Sequence, residues 1–245
     1  MSAPIVFLNA FPVDRAQWEG LLAVLGPDVC GDVITFDMPG IGQMPLTDEE
    51  PSLDLIADAA VLAMREATGE DAAVWIGCSM GGYVAMAVVE RHPDAVAGLG
   101  LIATKAVADS DEAKAKRLAV AESHVGVTAT PDPRALAEPL VGIQGPQREE
   151  LVEWVSANIA RHSGDGIAWG QRAMADRPDR TEVLRNVDGP AVVVAGEHDG
   201  MVPREDIEAM AAALGVTPVV IGGVGHLAAL EAPAAVADAL APLLR

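Results

Sequence analysis

The sequence predicts an α/β fold in which a mostly parallel central sheet is covered by helices on both faces. Six short apolar segments, each of the length of a buried strand, alternate with longer segments of helical periodicity along much of the 245-residue chain. Hydrophobic residues make up 51% of the composition, which is enough to bury a large core. Because single α/β domains commonly reach this length, we expect one domain over residues 1–245.

Each predicted element follows from its local pattern. Strand candidates are short apolar runs, and they cover residues 5–8, 33–36, 72–76, 99–103, 191–195 and 219–221. Helix candidates repeat their apolar residues at helical spacing, and they cover residues 16–25, 52–68, 82–91, 203–214 and 233–244. The order of the two sets is the strand–helix alternation that a parallel sheet requires.

This alternation breaks between about residues 104 and 187, where several helix-like segments follow one another without a convincing strand. We expect this region to be a helical cap inserted over the active site. An amphipathic stripe usually packs into a core, but a cap over a pocket also needs apolar side chains that point inward. On that basis Trp154, Trp169 and Met174 are candidate substrate-binding residues.

Gly77-Cys78-Ser79-Met80-Gly81 is the most informative motif in the chain. It joins the apolar run 72–76 to a helix-like run that begins at Gly82, so Ser79 is expected on a sharp turn between a strand and a helix. Such a turn strains the backbone of its serine, and residues without a Cβ atom let the neighbouring chains approach. The motif predicts that Ser79 is a nucleophile.

Two later residues supply the partners that an activated serine needs. Asp199 follows the strand candidate 191–195, and His226 lies on a glycine-rich loop after the last strand candidate. The chain order of serine, acid and histidine is that of a strand-end catalytic triad. Glu197 is the close rival for the acid, and Glu231 is expected to anchor its own loop through backbone hydrogen bonds.

The other four histidines have simpler interpretations. His92 is expected to be a solvent-facing cap at a helix C-terminus, and His124 and His162 are expected at surface positions. His198 is adjacent to Asp199 and should point away from the site if Asp199 points towards it. His226 is therefore the predicted base.

Four segments together resemble the α/β-hydrolase superfamily over nearly the whole chain. They are residues 7–12 together with Trp18, residues 37–42, residues 77–82, and the pair 196–199 and 225–226. Within that superfamily the chain looks most like small bacterial esterases, enol-lactonases and cofactor-free haloperoxidase-like proteins. One departure is that many relatives have His-Gly where this chain has Asn9-Ala10.

The resemblance implies a serine hydrolase that cleaves a carboxylic ester or a lactone through an acyl-enzyme. It also implies that the backbone N–H groups of Phe11 and Met80 form the oxyanion hole. A carboxylate nucleophile, as used by dehalogenases and epoxide hydrolases of this fold, is disfavoured because Ser79 occupies that position. The alternatives are another triad-dependent reaction (C–C bond hydrolysis, a lyase reaction or perhydrolysis) and a non-catalytic receptor for a small ligand.

Composition excludes several other classes of function. The formal net charge is −20, with 36 acidic and 16 basic residues, so nucleic acid is not an expected partner. The N-terminus shows no signal peptide and no apolar span has membrane length, which together predict a cytoplasmic protein. Cys30 and Cys78 are expected to be packing residues, and no spacing of ligands indicates a metal site. We expect no cofactor.

Overall fold

The computed structural model describes residues 3–26 and 31–244, and a six-stranded sheet forms its centre. The strands are β1 (Ile5–Leu8), β2 (Val33–Phe36), β3 (Ala73–Cys78), β4 (Val96–Ile102), β5 (Ala191–Gly196) and β6 (Val219–Ile221). Their order across the sheet is β2-β1-β3-β4-β5-β6, and every neighbouring pair is parallel. The predicted α/β class and all six strand candidates are confirmed.

Helices follow the strands in the predicted alternation. They are α1 (Glu19–Leu25), α2 (Leu53–Thr68), α3 (Met80–Arg91), α4 (Asp111–His124), α5 (Pro133–Ala137), α6 (Pro146–Ile159), α7 (Gly164–Ala175), α8 (Thr181–Leu184), α9 (Arg204–Ala213), α10 (Ala228–Glu231) and α11 (Pro233–Leu240). The first predicted helix opens instead with a 3-10 turn at Arg15–Trp18, where the Asp14 carboxylate accepts a hydrogen bond from the Ala16 N–H. Helix α3 begins two residues earlier than predicted, directly after Ser79.

Helices cover both faces of the sheet. Successive side chains of β1 alternate between two apolar clusters, with Val6 in one and Phe7 in the other. The first cluster includes buried residues of α2, α3 and α9, and the second includes buried residues of α1 and α11. Burial on both faces explains why the sequences of β1, β3 and β5 are continuously apolar, whereas the edge strands β2 and β6 keep exposed valines.

Five helices, α4 to α8, lie between β4 and β5, in the region where the sequence showed no strand. Helix α4 packs against α7, and α5 packs against α6. Side chains of α7, among them Ile167 and Trp169, join the first core cluster, so part of this region is fixed to the core of the sheet. None of the helices within the described ranges is long and apolar enough to cross a membrane.

Two histidines expected at the surface are buried. The His124 Nδ1 lies 2.8 Å from the Val120 carbonyl oxygen, within its own helix. The His162 Nδ1 accepts a hydrogen bond from the Gly42 N–H at 3.3 Å, and burial lowers the pKa of its ring. The expectation was wrong because both rings find backbone partners, which makes their burial tolerable.

Candidate active site

Ser79 occupies the sharp turn that the motif predicted, between the end of β3 and the start of α3. Its backbone has φ 52° and ψ −114°, a conformation that residues with side chains rarely adopt. A Cβ atom on Gly77 would collide with the Gly81 carbonyl oxygen, and one on Gly81 would collide with the Leu8 carbonyl oxygen. The flanking glycines are therefore required by the close approach of α3 to β1 and β3.

Thr104 holds the turn from the neighbouring strand. Its hydroxyl donates to the Ser79 carbonyl oxygen at 2.8 Å, while the Ser79 N–H donates to the Ile102 carbonyl oxygen at 2.9 Å. Thr104 is completely buried, and its side chain lies against Gly82, where a Cβ atom would have no room. Thr104 was not predicted from the sequence, where the one signal is a polar residue just after an apolar strand candidate.

His226 lies beyond the end of β6 and is 2% exposed. Its Nδ1 lies 3.1 Å and 3.0 Å from the two carboxylate oxygens of Asp199. Because a carboxylate accepts hydrogen bonds, this geometry assigns the proton to Nδ1 and leaves the Nε2 lone pair able to accept a proton. The arrangement matches the orientation that a general base requires.

The Asp199 carboxylate is itself held in place by backbone donors. Its Oδ1 accepts hydrogen bonds from the N–H groups of Met201 and Val202 at 2.8 Å and 3.3 Å. Its rival Glu197 has a largely exposed side chain and instead accepts a hydrogen bond from the Gly223 N–H at 2.8 Å. Geometry thus pairs Asp199, not Glu197, with the histidine.

Glu231 anchors the loop that carries His226. Its Oε2 accepts hydrogen bonds from the backbone N–H groups of Gly225, Gly142 and Ile143 at 2.9, 3.0 and 2.6 Å. These contacts connect the histidine loop to the segment between α5 and α6. The carboxylate acts on the loop backbone and makes no hydrogen bond to the His226 ring.

Ser79 and His226 open onto the same cavity, which has a volume of about 150 Å³. The lining residues are Phe11, Pro12, Ser79, Arg117, Ala135, Leu136, Pro139, Leu140, Gln171, Met174, Met201 and His226. Among the described residues no hydrogen bond joins the Ser79 hydroxyl to the His226 ring. Larger surface depressions occur elsewhere, but neither Ser79 nor His226 lines them.

Neither the N–H group of Phe11, which lines this cavity, nor that of Met80, which follows Ser79 in the chain, has an acceptor within the described parts of the chain. The loop of Phe11 is braced by buried Asn9, whose side chain donates to the Val13 carbonyl oxygen, and by Gln17, whose Oε1 accepts from the Ala10 N–H at 2.9 Å. Asn9, which departs from the family pattern, therefore has a clear structural contact in this loop.

Of the three predicted substrate-binding residues, the structure brings only Met174 to the cavity. The Trp169 indole N–H donates to the Glu49 carbonyl oxygen at 3.1 Å, and its ring belongs to the first core cluster. Trp154 packs against the second core cluster. Neither tryptophan lines this cavity, because both apolar stripes meet neighbouring helices and the core of the sheet.

Arg117 and Gln171 line the cavity in their place, and neither was predicted. Arg117 is held by the buried carboxylate of Asp109, with its Nε 2.6 Å from Oδ2. Arg177 contacts the same carboxylate at 2.7 Å and 2.8 Å, and its guanidinium carbon lies 4.1 Å from the centre of the Tyr83 ring. Burial alone would raise the pKa of Asp109, but the hydrogen bonds from both arginines outweigh it and hold that pKa well below its usual range.

Replacing Asp109 by asparagine is expected to lower the free energy of unfolding by about 3 kcal/mol, since it leaves Arg177 buried without a counter-charge. Because the pKa of Asp109 is lowered in the folded state, its contribution is present above the unfolded value of about 3.9 and is lost as pH falls through the lower folded-state value. Urea unfolding at pH 7 and pH 3 measures the difference in unfolding free energy between the wild type and Asp109→Asn. This difference should be smaller at pH 3. Glu122→Gln, an exposed change on the same helix as Arg117, is the control, and an equal loss in that variant would contradict the account.

Cys78, the neighbour of the candidate nucleophile, is buried and uncharged. Burial raises the pKa of its thiol to about 12, and its sulfur lies 3.8 Å from the His226 carbonyl oxygen. A thiol that stays protonated is a poor nucleophile, so Cys78 does not compete with Ser79. Cys30 lies outside the described residues. Among those described, no group of His, Cys, Asp and Glu is arranged to hold a metal ion.

Comparison with known proteins places these features in a family. A family model for the alpha/beta hydrolase fold matches residues 3–233. A 2-succinyl-6-hydroxy-2,4-cyclohexadiene-1-carboxylate synthase from Enterobacter sp. (strain 638) is 30% identical, with the alignment covering 98% of this chain and 91% of that protein. Two other curated relatives are longer, and the matched regions span 44% and 54% of their lengths.

Solved structures agree with the family model. A thermophilic esterase from Thermogutta terrifontis, with malate bound, superposes with a TM-score of 0.90 at 31% identity and covers 100% of this chain and 90% of its own. The enol-lactonase from Burkholderia xenovorans LB400 has the same fold, with a TM-score of 0.84 at 22% identity over 100% of this chain and 92% of its own. The strained serine between β3 and α3 and the match over residues 3–233 lead to one conclusion: this protein is a member of the α/β-hydrolase family.

Proposed function

We propose that this protein is a serine hydrolase that cleaves a small carboxylic ester or lactone through an acyl-enzyme, with Ser79 as nucleophile, His226 as base and Asp199 as the orienting acid. The observation that carries the proposal is the pairing of His226 Nδ1 with both oxygens of Asp199 at a cavity that Ser79 also lines. The family and the similar esterase support the same class of reaction.

In the first half of the reaction the Ser79 oxygen attacks the carbonyl carbon while Nε2 of His226 takes the hydroxyl proton. The Asp199 carboxylate stabilises the imidazolium that forms. His226 then gives the proton to the departing alcohol oxygen, which leaves an acyl group on Ser79. Water repeats the attack in the second half and releases the acid.

The unpaired N–H groups of Phe11 and Met80 are the proposed oxyanion hole. Both lie at the turn and loop that border Ser79, and the Met80 N–H is at the N-terminus of α3, where the helix dipole also favours negative charge. Each such donor is typically worth about 3 kcal/mol of transition-state stabilisation. Because both are backbone groups, no side-chain substitution removes them cleanly.

We further propose that residues 1–245 form one domain and that residues 104–187 cap its active site. The cavity lining supports this, because α4, α5 and α7 contribute Arg117, Leu136 and Met174 to it. A cap that excludes water strengthens the electrostatic interactions at the serine.

A second candidate is a triad-dependent reaction other than hydrolysis. It is favoured by the 30% identical relative that is named a synthase, which spans nearly the same length. Such a reaction would use the same serine, acid and base, so product analysis and not mutation of the triad separates the two candidates.

A panel of esters and lactones tests the proposal. We expect turnover of p-nitrophenyl acetate and butyrate and of the lactone dihydrocoumarin, with kcat/KM at least about tenfold lower for p-nitrophenyl octanoate because the cavity is small. Absence of turnover across the panel by folded protein would contradict a general esterase or lactonase and favour the second candidate.

A further inference from the structure

The active-site cavity carries a local positive charge in a strongly acidic protein. Arg117 is the one permanently charged side chain among the residues that line it, whereas the formal net charge of the chain is −20. Its side chain is 25% exposed and lines the cavity. Because acidic residues outnumber basic ones by 36 to 16, a charged side chain at a random position in this chain would more often be a carboxylate.

The carboxylates in direct contact with Arg117 and its neighbouring cations do not cancel their charge. Lys105, Arg117 and Arg177 all contact Asp109, and Lys105 also lies 3.5 Å from Asp206. Three cations thus face two carboxylates, which leaves one unit of positive charge in this cluster. Asp199 keeps its negative charge, but within the described ranges it makes no ion pair with this cluster, because its carboxylate faces the His226 ring and the N–H groups of Met201 and Val202.

Arg117 also has N–H donors that form no hydrogen bond within the described parts of the chain. Its Nε donates to Asp109 Oδ2 at 2.6 Å, and its Nη1 lies 3.3 Å from Gln171 Oε1 and 3.4 Å from Met174 Sδ. Its Nη2 makes no hydrogen bond to any residue in the described ranges. A guanidinium offers five N–H donors in a fork that matches a carboxylate, and here the fork is already held in position by Asp109.

We propose that Arg117 binds a carboxylate of the substrate, so that the enzyme acts on esters or lactones that carry a second, ionised carboxyl group. This inference rests on the proposed hydrolase function and names its substrate class. The cavity volume of about 150 Å³ restricts the substrate to a small one, such as the half-ester of a short dicarboxylic acid. Ser79 and Arg117 line the same cavity, so one small molecule places its ester and its carboxylate against the two residues.

Matched ester pairs test the proposal. The first pair is 4-acetoxybenzoate and its neutral methyl ester, which differ in charge on the alcohol side. The second pair is monomethyl succinate and dimethyl succinate, which differ in charge on the acyl side. For at least one pair, the ratio of kcat/KM for the anionic ester to kcat/KM for the neutral ester should fall at least about tenfold in Arg117→Gln.

Arg134→Gln is the matched control, because Arg134 lies on a cap helix but its guanidinium is paired with Glu138 and Glu149 outside the cavity. Its ratios should stay within about twofold of wild type. An equal fall in this control would show that the loss comes from removing a positive charge anywhere on the cap, not from losing a binding site at Arg117. That result would overturn the proposal. Unchanged ratios in Arg117→Gln for both pairs, or equal loss on anionic and neutral esters, would also overturn it.

Binding gives a readout that does not depend on turnover. Succinate should raise the melting temperature of the wild type, and Arg117→Gln should lose this shift while keeping the fold, since Asp109 retains Arg177 and Lys105. If the wild type hydrolyses none of the esters but shows this Arg117-dependent shift, the hydrolase proposal fails and the carboxylate site stands. No shift in the wild type overturns the site itself.

Discussion

Replacing Ser79 by alanine is expected to lower kcat for ester hydrolysis by roughly 10⁶-fold, the scale observed when a triad loses its nucleophile. The change removes the proposed nucleophilic oxygen and leaves the turn intact, because the hydrogen bonds of the Ser79 backbone to Ile102 and Thr104 do not involve its hydroxyl. Steady-state kinetics on p-nitrophenyl butyrate measures the loss.

Ser123→Ala is the matched control, since Ser123 is exposed on α4 and its hydroxyl contacts the Val120 carbonyl oxygen. It should retain activity within about twofold of wild type. A Ser79→Ala protein that is folded and keeps more than about 1% of wild-type kcat would show that the reaction uses another nucleophile.

Replacing Asp199 by asparagine is expected to lower kcat by roughly 10⁴-fold. An asparagine amide would favour the other tautomer of His226, which carries its proton on Nε2. In that tautomer Nε2 has no lone pair to accept the Ser79 proton. The carboxylate also stabilises the imidazolium, and the neutral amide does not. Kinetics together with a melting temperature near that of the wild type would separate this effect from unfolding.

Glu197→Gln is the control for the acid, because Glu197 precedes Asp199 by two residues and faces the Gly223 loop. It should cost less than about tenfold in kcat. If Glu197→Gln lowered kcat more than Asp199→Asn, the acid would be Glu197 and not Asp199. The assignment of Ser79 as nucleophile would not change.

Much of the fold could be predicted because its signals are local. Short apolar runs mark the strands, whether central or at the edges of the sheet, and the bounds of β1, β2 and β6 agree with the sequence prediction. The start of α3 was placed two residues late, since the positive φ of Ser79 lets the helix begin immediately at Met80. Local periodicity carries no information on such a strained junction.

The candidate triad was also predictable, because each member lies in a short motif at the end of a strand candidate. Arg117 and Gln171 were not, because they reach the cavity only when α4 packs on α7. A charged residue on a polar helix normally faces solvent, so the local sequence did not indicate that Arg117 lines a cavity. Trp154 and Trp169 do not line the cavity, since their apolar stripes pack against the core.

The most direct test of a serine nucleophile activated by His226 is mass spectrometry after reaction with a fluorophosphonate, which forms a P–O bond to the serine oxygen and releases fluoride. The account predicts one adduct per chain in the wild type, mapped to Ser79, no adduct in Ser79→Ala, and labelling slowed at least about 10³-fold in His226→Ala. An adduct on a different serine, or labelling that persists in Ser79→Ala, would contradict it.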